Sequence, residues 1–85
     1  MAEMLAASLS DIVLDAGCGD GFYLGTLARQ IGFEAHGVDI SIPAVDAAAR
    51  RYLECEWVVA NADRFVPYAD NSFSIVLSIT ARMAR

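Results

Sequence analysis

The chain has 85 residues, 56% of them hydrophobic, with two cysteines and a formal net charge of −5 at pH 7. That length allows one small domain burying only about 60% of its unfolded surface, and the acidity disfavours unaided binding to nucleic acid, which relies on Lys and Arg at phosphates. Cys18 and Cys55 are too few for a disulfide scaffold and lack zinc-ligand spacing, so no metal site is expected. No apolar run approaches the ~20 residues of a membrane span, and Glu3 stands where a signal peptide would be basic, so the expected setting is cytoplasmic with no membrane partner.

In chain order, a short helix is expected over residues 3–9 and a first strand over 11–15, ending in Asp15. A loop with Gly17, Gly19 and Gly21 at alternate positions follows, then a helix over 22–31 with Leu24, Leu27, Ala28 and Ile31 at i, i+3, i+4 and i+7. Gly32 ends that helix. A second strand over 35–38 leads into Asp39. Ser41 is a fitting N-cap for a second helix, with Pro43 in its first turn and Val45, Ala49 and Tyr52 as its apolar stripe. Strands over 56–60 and 73–79 complete the pattern, joined by a loop with Pro67 and the turn formers Asp70-Asn71-Ser72.

Parallel strands linked by right-handed crossovers order as 3-2-1-4, giving an α/β, Rossmann-like sheet whose ligand crevice lies at the strands' carboxyl ends, where the order reverses. The helices fall mainly on one face and leave the other bare. Yet Ile12-Val13-Leu14, Trp57-Val58-Val59 and Ile75-Val76-Leu77 are runs typical of sheets buried on both sides. The chain is therefore expected to be one partial domain over residues 1–85, needing either a missing C-terminal half or self-association through the bare face or the fourth-strand edge.

The glycine loop carries the chemistry. Its glycines permit positive φ and close approach of backbone to a bound molecule, and the amides at the following helix's start attract negative charge. Asp39, 22 residues beyond Gly17, stands where nucleotide-binding α/β folds hold ribose hydroxyls. The pattern reads G-x-G-x-G and is flanked by Asp15 and Asp20. A pyrophosphate beside those acids would be repelled by several kcal/mol at an effective dielectric of roughly 20. A zwitterionic amino acid end fits better, with its carboxylate on the glycine amides and its ammonium on Asp15, directly or through water. S-adenosylmethionine offers that end, a cationic sulfonium and a ribose.

Three segments, residues 14–21, Gly37-Val38-Asp39-Ile40-Ser41 and residues 65–76, resemble in order and spacing the first three motifs of class I S-adenosylmethionine-dependent methyltransferases. The resemblance covers about residues 11–80, the front half of the family's catalytic domain. Within the superfamily, residues 37–52 resemble bacterial large-subunit ribosomal RNA guanine-N1 methyltransferases, although nothing here resembles their N-terminal zinc module. The resemblance implies transfer of a methyl group from S-adenosylmethionine to an acceptor, either an rRNA guanine or a small molecule. It assigns Asp15, Gly17, Cys18, Gly19, Gly21, Asp39 and Ile40 to the cofactor, with Asn61, Ala62 and Asp63 split evenly between an adenine contact and an ordinary loop. Acceptor-selecting residues normally lie at or after the fourth strand in the family, so no catalytic residue is assigned and the chain alone is expected to be inactive. His36 and Tyr23 are expected to pack, and Arg82 and Arg85 to be solvated. Two other readings stay open: a dinucleotide-binding oxidoreductase domain, and a non-catalytic remnant that self-associates.

Overall fold

A computed structural model describes residues 7–61 and 73–78 of the chain. Among them, β1 (Ile12–Ala16), α1 (Phe22–Ile31), β2 (Glu34–Asp39), α2 (Ile42–Arg51), β3 (Glu56–Val59) and β4 (Ile75–Ser78) follow one another. The four strands are parallel and ordered β3-β2-β1-β4. Cross-strand partners place Val13 level with Ala35 and Ile75, and Asp15 level with Gly37 and Leu77.

Local chemistry explains the helix limits. α1 starts after Gly21 and ends at Gly32, which is left-handed at φ 96° and returns its amide to the Ala28 carbonyl. Ser41 caps α2 by accepting from the Ala44 amide at 3.3 Å. The buried positions of α2 are Val45 and Ala48, followed by Tyr52 at its C-cap, whereas Ala49 is exposed. The stripe thus runs i, i+3, i+7, with Ala48 packed beside Gly21 at the entry to α1.

At the start of the chain the expected helix does not reach Leu9. The Asp11 carboxylate accepts the Ser8 amide at 2.8 Å and the Asp11 amide returns to the Ser8 carbonyl, closing a turn where helix was expected. Residues 3–6 of that helix, the Pro67 loop and the 70–72 turn lie outside the described residues. Asp11 also accepts from Ser74 Oγ, which in turn accepts the Ile12 amide, so the β1 and β4 entrances are pinned together.

Val13, Leu24, Ala28, Phe33, Ala35, Tyr52, Cys55 and Leu77 form the core between the sheet and both helices. The opposite face is only partly bare. Leu14 and Val38 are buried there, His36 meets Phe73 edge-on with ring centroids 5.2 Å apart, and Val76 stays 63% exposed on β4. Among the described residues no helix is long and apolar enough to cross a membrane.

Tyr52 packs against Gly25 of α1, and a Cβ at residue 25 would clash with its ring carbons. Gly→Ala in a helix ordinarily adds about 1 kcal/mol of stability. Here overpacking reverses the sign, so Gly25→Ala should lose about 1–3 kcal/mol in urea denaturation.

Candidate functional site

The three loop glycines are all left-handed, Gly17 at φ 91°, Gly19 at φ 59° and Gly21 at φ 81°. The carboxyl end of β2 holds the loop in place. The Val38 carbonyl accepts the Gly17 amide at 2.6 Å and the Cys18 amide at 3.0 Å. One oxygen of Asp39 accepts the Gly19 amide at 2.9 Å, and the other accepts the Ser41 amide at 2.9 Å. The amides of residues 17–19, expected to receive a ligand carboxylate, are thus already engaged within the protein. Asp20 is exposed and accepts the Phe22 amide at 3.1 Å, supplying the first turn of α1 with a cap that Gly21 lacks.

Asp15 is fully buried beneath the loop, the one buried charged residue among the described residues. Asp39 is partly exposed at the crevice. Asp15 and Asp39 thus stand toward the carboxyl ends of the adjacent strands β1 and β2, next to the loop. A Cβ on Gly19 would meet nothing within 4 Å, whereas one on Gly21 would stand 2.7 Å from the Trp57 ring and 2.9 Å from Ala48. The loop thus rests on packed protein at Gly21 and opens to free space at Gly19.

The other expected site residues gather along the same edge. Ile40 is exposed just beyond Asp39, and Asn61 follows Ala60, whose amide donates to the Asp39 carbonyl at 3.0 Å. Ala62 and Asp63 lie outside the described residues. Cys18 is buried with Sγ directed at the Gly19 carbonyl, 3.5 Å away. Burial, with Glu54 nearby, pushes the Cys55 thiol up to about 11, so it remains protonated at neutral pH. Tyr23 packs against the core and His36 contacts Glu34 at 2.6 Å, in line with packing roles. No group of three or more His, Cys, Asp or Glu among the described residues is placed to hold a metal.

Sequence reasoning missed Trp57 as a part of the site. Its signal was available: Trp57 lies directly opposite Gly37 across the β2–β3 pair, and an aromatic residue commonly covers a cross-strand glycine.

A family model described as a methyltransferase domain matches residues 13–84. The chain is 34% identical over 74 residues to the candidate 23S rRNA (guanine-N(1)-)-methyltransferase YxjB of Bacillus subtilis, taking in 79% of this chain and 25% of that protein. It is 32% identical over 80 residues to the demethylmenaquinone methyltransferase of Tropheryma whipplei, covering 91% and 32%. A solved SAM-dependent methyltransferase of Geobacter sulfurreducens, in complex with S-adenosyl-L-homocysteine, aligns with a TM-score of 0.78 at 25% identity, covering 93% of this chain and 33% of that one. The chain spans about a quarter to a third of the length of these proteins.

Removing Asp39 should loosen the loop without any ligand present. Asp39→Ala takes the acceptor from two amides and should cost about 1–3 kcal/mol, with faster amide hydrogen exchange at Gly19 and Ser41. Asp39→Asn, which keeps one acceptor oxygen, should fall between it and the wild type.

Proposed function

Because this chain belongs to the methyltransferase domain family, we propose that its β1–α1 loop and Asp39 hold S-adenosyl-L-methionine for methyl transfer. The observation that carries this reading is the open space over Gly19, bordered by Asp39, whose carboxylate accepts the Gly19 amide. Each oxygen of a carboxylate has two lone pairs. Asp39 spends one bond per oxygen on the Gly19 and Ser41 amides and retains capacity for a ribose diol. Asp15, beneath the loop, contributes negative potential that suits a sulfonium and an ammonium. The same pair of acids opposes a pyrophosphate, since two unit charges 4 Å apart interact by about 4 kcal/mol at an effective dielectric of 20. That argument, with the family match, disfavours the oxidoreductase reading.

When bound, the cofactor supplies a methyl group on a cationic sulfur, open to in-line displacement. The protein's share is position: the loop fixes where the methionine end sits, and Asp39, with Ile40 and Asn61 along the same edge, fixes the nucleoside end. No described residue is assigned as the acceptor's base.

For the acceptor, an rRNA guanine is supported by the identity to YxjB. The net charge of −5 means that cations for RNA phosphates would come from outside this chain. The outer edge of β4, with exposed Val76, is where further chain or a second copy would complete the sheet.

Calorimetric titration with S-adenosyl-L-homocysteine tests the reading. At about one hundred times Kd the ligand should add ~2.7 kcal/mol of stability and raise Tm by about 10 °C or more, while NAD should leave Tm unchanged. A shift with NAD alone would overturn the proposal.

A further inference from the structure

We infer that Trp57 is a positioning residue that sets the height of the glycine loop above the sheet; its functional consequence rests on the cofactor reading above, its geometry on packing alone. Two backbone positions from different parts of the site lie against one indole. A Cβ at Gly21, where the loop enters α1, would stand 2.7 Å from the far end of the ring, and a Cβ at Gly37, on β2 two residues before Asp39, would overlap the same six-membered ring. The indole therefore fills the gap between the loop and β2, and both neighbours are glycine because nothing larger fits beside it.

The ring is also held from tilting. Its Nε1 donates to the Tyr52 carbonyl at 2.9 Å, at the C-cap of α2, and the Tyr52 and Trp57 rings meet at 6.1 Å between centroids. Ala48 of α2 closes on Gly21 beside it. Loop position is thus fixed at two ends by different means. Hydrogen bonds to Val38 and Asp39 hold residues 17–19 sideways, and the indole supports Gly21, whose carbonyl accepts the Gly25 amide at 2.7 Å and so carries the first turn of α1. Shrinking the indole leaves the second support empty, and the loop and the start of α1 settle toward the sheet. Trp57 contributes to ligand binding through the loop rather than by contact with the ligand.

The test uses the 85-residue chain with Trp57→Phe, Trp57→Leu, Gly37→Ala and the double variant Gly37→Ala/Trp57→Leu. Amide hydrogen exchange is read at Gly19 and Gly21 against Val13 and Leu14 of β1, and S-adenosyl-L-homocysteine affinity by calorimetry. Trp57→Leu should raise exchange at the loop amides about tenfold over any change in β1 and weaken binding by about tenfold or more, since small misplacements of binding groups are costly. Trp57→Phe should lie between it and the wild type. Gly37→Ala alone should disrupt both readouts, and the double variant should lose less than the sum of the two single variants, because the indole carbons that the added methyl would overlap are gone while its 3.0 Å approach to Cys18 Sγ remains. Loop exchange and affinity equal to wild type in a folded Trp57→Leu chain overturn the inference, as does strict additivity in the double variant. If the wild type binds no S-adenosyl-L-homocysteine, the cofactor reading fails and the exchange arm decides the role of Trp57 by itself.

Discussion

The attachment of the glycine loop to the end of β2 is the constraint on which the site depends. Within two residues, Val38 and Asp39 supply the acceptors for three consecutive amides of the loop. Glycine takes left-handed backbone freely and loses the most conformational freedom on folding, so a loop with three such positions keeps one shape only if the surroundings fix it. Here β2 does so, and Asp39 extends the same hold to Ser41 at the start of α2. One strand end thereby orients two helices toward the same crevice.

The site's electrostatics follow from that arrangement. With amides 17–19 turned inward to Val38 and Asp39, the loop offers less positive potential outward than a loop with free amides would. Of the two acids near the loop, Asp15 is buried and Asp39 is partly exposed at the end of β2.

Much of this arrangement was legible in the sequence wherever the determinant is local. Gly32 and Ser41 fixed helix limits because capping depends on a residue's own conformation or side chain, and the alternation of Gly17, Gly19 and Gly21 marked the turn. The strand order followed from crossover handedness. What escaped depends on contacts distant in the chain. Val45 has alanines at both i+3 and i+4, and it is the packing of Ala48 beside Gly21, far away in the chain, that distinguishes it from Ala49. The turn from Ser8 to Asp11 replaced helix because a carboxylate three residues away competes for the amide. The fate of the loop amides, and the indole beneath Gly21, depend on how strand ends line up across the sheet.

The role of Val38 has a bearing on how such a site drifts over generations. It serves through its main-chain oxygen, as Gly17 and Cys18 serve through their main-chain nitrogens. An apolar strand former of valine's size can stand at 38, and a small residue at 18, without altering what the clamp does. Variation should accumulate at those two places while 19, 21, 37 and 39 stay fixed, so the pattern of freedom along this segment follows the division between backbone work and side-chain work.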